Sequence, residues 1–162
     1  MYKRQIIDRV DKLPSGEEVI IDYKTGKVEP KKWFGDRPDD PQLPLYAISA
    51  ETVPAAVVFG VIRDDGCLYK GVVRAEGLLP GLPPNARKDN QYLIDAGYKM
   101  PETIDNWREV LHHLMSDFLA GEAGVDPKNG RKTCQQSYCD LQSLCRIGEL
   151  EQFQDLRQGA PG

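Results

Sequence analysis

The chain has 162 residues, of which 40% are hydrophobic and 28% are charged, and its formal net charge is −4 at pH 7. This length allows one substantial buried core, and no run approaches the roughly 18 apolar residues that a membrane span requires. A protein that coats DNA non-specifically would carry a basic surface, so the net charge argues against that class. Without a membrane segment or a secretory signal pattern, we expect a globular cytoplasmic protein with no membrane partner.

The first predicted element is a β-hairpin. Residues 4–11 and 17–24 are rich in β-branched side chains, and a Leu-Pro-Ser-Gly segment with strong turn chemistry separates them. A turn centred near Ser15 would place Asp8 directly opposite Asp22. Directly opposed residues share one face of a hairpin, so these two carboxylates are predicted to lie close together.

A lysine is predicted to join the two carboxylates. Lys24 follows Asp22 by two positions, so strand alternation puts both side chains on one face and Tyr23 on the other. The same register places Val10 opposite Ile20. The hairpin is therefore expected to bring two carboxylates and one ammonium group together.

This combination of charges is typical of a metal-dependent phosphodiester-cleaving site. Carboxylates directly opposite each other destabilise a sheet unless a cation lies between them. Mg²⁺ is usually held by one or two carboxylates, water and a substrate phosphate. It would activate a water molecule, and Lys24 would orient that water or stabilise the transition state. The residues also leave open an exposed hairpin face with ordinary surface Asp–Lys salt bridges.

A polar loop is predicted over the active face at residues 27–41. Its basic side chains follow the hairpin closely: Lys27, Lys31, Lys32 and Arg37. They would either follow a phosphate backbone or belong to a solvated loop. Trp33 lies in the only aromatic patch of this loop, where it would either stack on a base or pack against the hairpin.

Residues 41–50 predict a helix, with a proline tolerated near its first turn. Gln42 and Tyr46 are four residues apart, so a helix presents them on one face. One interpretation is that both side chains support the site beside the hairpin. The other is that Gln42 is a polar cap and Tyr46 a core residue.

The rest of the chain predicts two further strands and a long helix. The apolar run at 55–62 indicates a central strand, and a partner strand begins near Cys67, which we expect to be a buried thiol. Apolar residues at helical spacing predict a core-facing helix from 101 to near 121. A short ordered piece at 91–94 and a closing helix at 149–157 are also predicted.

Three motifs occur in order along the chain: DRVD at residues 8–11, IDYKTG at 21–26 and QLPLYA at 42–47. Together they resemble the nuclease domain of the PD-(D/E)XK superfamily, and within it the RecB and AddB branch. The resemblance implies an α/β, restriction-endonuclease-like fold, with a mixed central sheet flanked by helices. The branch usually has an upstream helix that completes the metal site, and we expect this chain to lack it.

The resemblance also implies roles for individual residues. Asp8 and Asp22 would ligate Mg²⁺ or Mn²⁺, and the backbone carbonyl of Tyr23 would add a ligand. Lys24 would be the catalytic lysine. The implied activity is a metal-dependent DNA nuclease, a RecB-like exonuclease that acts in DNA repair or recombination.

Further residues would assist this activity. By resemblance Gln42 and Tyr46 would support the site or contact DNA. The basic side chains Lys27, Lys31 and Lys32 of the neighbouring loop are further candidates for DNA binding. The implied partners are DNA and a helicase or an upstream segment of the same protein. A non-enzyme alternative remains: a catalytically incomplete DNA-binding or scaffold module of a helicase–nuclease assembly. The sequence has no Gly-rich phosphate loop, nucleophile elbow or zinc-protease helix that would favour another enzyme class.

The C-terminal part carries three clustered cysteines, Cys134, Cys139 and Cys145. In AddB-like nucleases such a cluster joins one upstream cysteine around an iron–sulfur cluster, which the resemblance implies for a longer form of this protein. Zinc, a disulfide or free thiols are the alternatives. We expect residues 1–125 to form the nuclease core and residues 126–162 to pack on the same domain.

Overall fold

The computed structural model describes residues 7–75, 77–79 and 100–149. The strands are β1 (Arg9–Lys12), β2 (Glu18–Lys24), β3 (Ala56–Arg63) and β4 (Gly66–Val73), and the helices are α1 (Gln42–Ile48), α2 (Met100–Leu119), α3 (Arg131–Gln136) and α4 (Gln142–Cys145), with a 3-10 turn at Pro30–Trp33. The chain divides into a first unit, residues 1–116, and a second unit, residues 117–162. The predictions at 91–94 and for most of 149–157 lie outside the described residues.

The four strands form one mixed sheet in the order β1-β2-β3-β4. β2 is antiparallel to β1 and parallel to β3, and β4 is antiparallel to β3. The parallel step is made by the connection that contains α1, because parallel strands cannot be joined by a tight turn. The mixed sheet with flanking helices, a restriction-endonuclease-like α/β architecture, is therefore confirmed, and so is the central position of β3.

The main core lies on the sheet face that packs against α1 and α2. Alternate residues of the inner strands, among them Ile20 and Phe59, meet Leu43 of α1 and Trp107 of α2 there. Because the inner strands are buried on both faces, the next residues along them, such as Ile21, join a second apolar cluster. Burial of β2 and β3 on both faces thus fixes the end of β2, where Asp22 and Lys24 lie.

Trp33 is a core residue. Its side chain has no exposed surface, and its ring lies 4.9 Å from that of Phe59 and 6.0 Å from that of Trp107, measured between centroids. The hypothesis that it stacks on a base is wrong, because the ring is enclosed by the core. Its burial instead anchors the 3-10 turn Pro30–Trp33 to the first unit.

Gly71 marks a close approach between β4 and β3. A Cβ atom at this position would lie 2.2 Å from the carbonyl oxygen of Val57 and 2.7 Å from Cα of Val58. Both are backbone atoms of a central strand, so they cannot move aside without distorting the sheet. We expect Gly71→Ala to lower the free energy of unfolding by about 1–3 kcal/mol, measured by thermal or urea unfolding. Gly26→Ala is the matched control, because nothing lies within 4 Å of its added Cβ; equal stability losses in both variants would contradict the close approach.

The second unit holds the short helices α3 and α4 and the three clustered cysteines. No helix in the described part of the chain is long and apolar enough to cross a membrane.

Candidate active site

The β1–β2 hairpin has the predicted register, since Val10 pairs with Ile20. Asp8 immediately precedes β1, and its Oδ2 accepts a hydrogen bond from the backbone N–H of Tyr23 at 2.9 Å. This bond ties the Asp8 carboxylate to the end of β2, between Asp22 and Lys24 in sequence. Asp8 therefore contacts the Asp-Tyr-Lys triplet through the backbone of Tyr23, whereas the direct pairing of its carboxylate with that of Asp22 stays a prediction.

Asp22 is the buried charge of the site. Only 2% of the residue is exposed, and its Oδ2 lies 2.6 Å from Nζ of Lys24. A buried carboxylate is costly unless it is paired with a cation or accepts hydrogen bonds. Apart from the Lys24 ammonium, Oδ2 has no hydrogen-bond donor among the residues that the structure describes, so it retains capacity for a cation.

Lys24 lies on the same face as Asp22, as strand alternation predicted. Its side chain is 38% exposed, so the ammonium group bridges the buried carboxylate and the solvent. The close Asp22 carboxylate raises the pKa of Lys24 above its ordinary value, and the more distant charges of Asp40 and Asp8 act in the same direction. Lys24 therefore stays protonated throughout the neutral range.

Helix α1 supplies a neutral contact to the buried carboxylate. Nε2 of Gln42 donates to Oδ1 of Asp22 at 3.2 Å and to the hydroxyl oxygen of Tyr46 at 3.1 Å. Since an ionised carboxylate only accepts hydrogen bonds, the amide nitrogen must face Asp22. The helical spacing thus does bring Gln42 and Tyr46 together. The Gln42 side chain donates to Asp22 and does not cap its own helix.

Loss of the Gln42 amide should destabilise the protein. Gln42→Ala would leave Oδ1 of Asp22 without this donor in a buried position, and we expect the free energy of unfolding to fall by about 1–3 kcal/mol. Tyr46→Phe removes only the hydroxyl group that accepts from Gln42 and should cost less. Urea unfolding of both variants measures the difference. A larger loss for Tyr46→Phe would contradict the Gln42–Asp22 contact as the important one.

Tyr23 points away from the two catalytic candidates beside it, as predicted. Its hydroxyl oxygen accepts from Nη1 of Arg9 at 3.1 Å, and its ring lies so close to Gly60 that a Cβ there would be 2.8 Å from a ring carbon. Together with the hydrogen bond from its amide to Asp8, these contacts hold both the backbone and the side chain of Tyr23 in place. Sequence reasoning did not identify Arg9 or Gly60, and the contact of Gly60 depends on the parallel pairing of β2 with β3.

The predicted basic cluster is organised around a glutamate. Oε1 of Glu29 lies 2.7 Å from Nζ of Lys27, and its Oε2 lies 3.8 Å and 3.7 Å from the ammonium groups of Lys31 and Lys32. The Lys27 ammonium holds the pKa of the Glu29 carboxyl below its ordinary value. Sequence analysis identified the three lysines but not the carboxylate that they share.

One of the cysteine predictions is wrong. Cys67 is exposed and not a buried thiol, because it lies near the turn end of β4 and only β3 pairs with that strand in the described sheet. Cys134, Cys139 and Cys145 are half-buried, and none of them forms a disulfide within the described residues. No set of three or more His, Cys, Asp or Glu side chains in the described residues is placed to hold a metal ion. An iron–sulfur site is therefore not supported, since its ligands would have to converge.

Comparison with known proteins gives one match. The sequence model of the PD-(D/E)XK nuclease superfamily matches residues 5–146 of the chain. This span includes the hairpin with Asp8, Asp22 and Lys24, and also helix α1 with Gln42. Neither the curated proteins nor the solved structures contain a match.

Proposed function

Because the chain belongs to the PD-(D/E)XK nuclease superfamily, whose members are generally metal-dependent hydrolases, we propose that it hydrolyses DNA phosphodiester bonds at the site formed by Asp8, Asp22 and Lys24. One observation carries the proposal: the buried Asp22 carboxylate lies 2.6 Å from the Lys24 ammonium, and Asp8 is bonded to the residue between them. A well-packed apolar pair often stabilises a fold as well as a buried ion pair or better, so stability is a poor explanation for these charges.

The oxygen atoms of the site suit Mg²⁺ or Mn²⁺. Oδ2 of Asp22 is buried and, among the described residues, has only the Lys24 ammonium as a partner. Asp8, Asp22 and the backbone carbonyl of Tyr23 would hold the ion, as hard oxygen ligands that such cations prefer. When bound, the ion would lower the pKa of a water molecule and offset charge on the phosphate. The small number of protein ligands fits an ion that keeps several waters and takes a substrate phosphate.

The protein's own side chains have separable tasks in this proposal. Lys24 keeps a positive charge at the edge of the site, where it would stabilise the negative charge that develops on the phosphate during hydrolysis. Gln42 fixes the orientation of the Asp22 carboxylate through its hydrogen bond to Oδ1. The amide of Tyr23 does the same for Asp8. A carboxylate that is oriented before the substrate arrives costs no reorganisation during the reaction.

Within the superfamily we propose a RecB- or AddB-like exonuclease that acts with a helicase in DNA repair or recombination. The support is the Asp-Tyr-Lys triplet followed by a helix on which Gln42 and Tyr46 share a face. The direct hydrogen bond from Gln42 to Asp22 links that helix to the site.

A comparison of DNA ends tests this proposal. Linear DNA labelled at the 5′ or the 3′ end and a closed circle of the same sequence are incubated with the protein and Mn²⁺. An exonuclease should degrade both linear substrates and leave the circle intact, and the labelled product that appears first gives the polarity. Cleavage of the circle would contradict exonucleolytic action but not hydrolysis; an intact linear substrate would contradict the proposed activity.

A further inference from the structure

A strongly charged patch lies beside the proposed active site. It consists of Glu29 and the three lysines around it, Lys27, Lys31 and Lys32, and we call it the Glu29 patch. The lysine side chains are 82%, 66% and 49% exposed, whereas Glu29 is only 23% exposed. A single partly buried carboxylate therefore lies under three exposed ammonium groups and balances only one of them.

The backbone of the patch is held in place, which distinguishes it from a solvated loop. Pro30 and Trp33, at the two ends of the 3-10 turn, are buried in the core. The N–H of Lys32 donates to the carbonyl of Glu29 at 2.9 Å, and the carbonyl of Lys32 accepts from the N–H of Asp40 at 3.2 Å. Lys31 and Lys32 thus project from a fixed platform and would lose less conformational freedom on binding than lysines in a mobile loop.

The patch is also connected to the proposed active site. Lys27 is three residues beyond Lys24 on the chain that leaves β2. The backbone bond between Asp40 and Lys32 joins the turn to the start of α1, where Gln42 contacts Asp22. The patch is therefore joined to both segments that carry residues of the proposed active site, within the same unit.

We propose that Glu29 occupies, in the free protein, the place of a DNA backbone phosphate, and that a phosphate displaces its carboxylate from the three lysines when DNA binds. The inference rests on the proposed function, because it assumes a DNA substrate. A carboxylate and a phosphate both accept charge-assisted hydrogen bonds from ammonium groups. Glu29 keeps the lysines together but competes with the substrate, so it weakens DNA binding and limits its salt dependence.

The competition has a measurable consequence in the salt dependence of binding. Each phosphate that a protein neutralises releases counterions, and the slope of log K against log salt becomes steeper by about 0.9 per phosphate for duplex DNA. Glu29→Gln removes the competing charge while keeping the shape of the side chain. We expect tighter binding and a slope steeper by about 0.9, so that the gain shrinks about 3–4-fold between 50 and 200 mM salt.

The experiment measures binding of a labelled duplex to the full chain in Ca²⁺ without Mn²⁺, as a function of salt, by fluorescence anisotropy. Glu18→Gln is the matched control: Glu18 is 25% exposed, lies 3.8 Å from a lysine, and sits at the opposite end of β2 from Lys24. Lys31→Gln removes a positive charge instead of a negative one and should make the slope of log K against log salt less steep. Circular dichroism checks that all three variants keep the fold.

A steeper slope and tighter binding for Glu29→Gln, with Glu18→Gln unchanged, would support the proposal. Equal effects of the two glutamate variants would overturn it, because Glu29 would then only add to the net charge. Weaker binding of Glu29→Gln would also overturn it, because Glu29 would then only organise the lysines. Mn²⁺-dependent cleavage is measured separately. Cleavage without the Glu29 effect refutes this inference alone, and the Glu29 effect without cleavage refutes the proposed hydrolysis alone.

Discussion

Replacing Lys24 with alanine should lower the rate of DNA cleavage by about 10²–10³-fold or more, the loss typical when one preorganised charge at a transition state is removed. DNA affinity should change little, because most of the binding charge would come from other lysines. Mn²⁺ affinity should stay the same or rise, since the ammonium that lies 2.6 Å from Asp22 competes with a cation for Oδ2. Single-turnover cleavage, anisotropy and calorimetry measure the three effects.

Lys12→Ala is the matched control for this variant. Lys12 lies on β1 of the same hairpin and pairs with Glu18, which begins β2 at the end away from the site. Its side chain is 74% exposed, and its Nζ lies 3.8 Å from Oε1 of Glu18. Lys12→Ala removes the same charge from the same hairpin but not from the site, so cleavage should remain near the wild-type rate. If Lys24→Ala and Lys12→Ala cleave equally well, Lys24 has no catalytic role.

Replacing Asp22 with asparagine should weaken Mn²⁺ binding by at least about 10–100-fold, since even residues that only orient metal ligands have effects of this size. Asparagine keeps the shape of the side chain, and its oxygen can still accept from Gln42, so the protein should remain folded. The lost property is the charge of a buried oxygen that has only the Lys24 ammonium as a partner in the described part of the chain. Cleavage should be lost with the metal.

Asp11→Asn is the control for this measurement. Asp11 is a carboxylate on the same hairpin whose Oδ1 pairs with Arg9 at 2.7 Å on an exposed surface. Calorimetric titration with Mn²⁺ should give wild-type affinity for Asp11→Asn. Unchanged Mn²⁺ affinity in Asp22→Asn would remove Asp22 from the metal site.

The geometry of the site could largely be predicted from the sequence, because it follows from local rules. Turn chemistry and the pattern of β-branched residues set the hairpin register, and Val10 does pair with Ile20. Strand alternation placed Lys24 beside Asp22, and helical spacing placed Gln42 on the face of Tyr46. The roles of these residues in catalysis stay predictions, since geometry alone does not test them.

The features that the sequence did not predict depend on contacts between distant segments. The approach of Tyr23 to Gly60 arises from the parallel pairing of β2 with β3, and Trp33 is buried because α2, far along the chain, brings Trp107 against it. Local periodicity contains no information about such contacts.

The exposure of Cys67 shows a limit of a different kind. An alternating apolar strand predicts buried side chains only where another layer covers the sheet. Cys67 pairs with Ile62 at the end of β3, where Ile62 is itself 46% exposed. The strand was identified correctly, but its sequence does not tell which of its ends the core covers.

The most direct test of the account is cleavage of end-labelled DNA by the wild-type chain in Mn²⁺, with a parallel reaction in EDTA and with Lys24→Ala purified in the same way. We expect release of label by the wild type in Mn²⁺, none in EDTA, and at most a trace with the variant. Label release that persists in EDTA, or that is equal for the wild type and Lys24→Ala, would contradict a metal-dependent nuclease site at Asp8, Asp22 and Lys24.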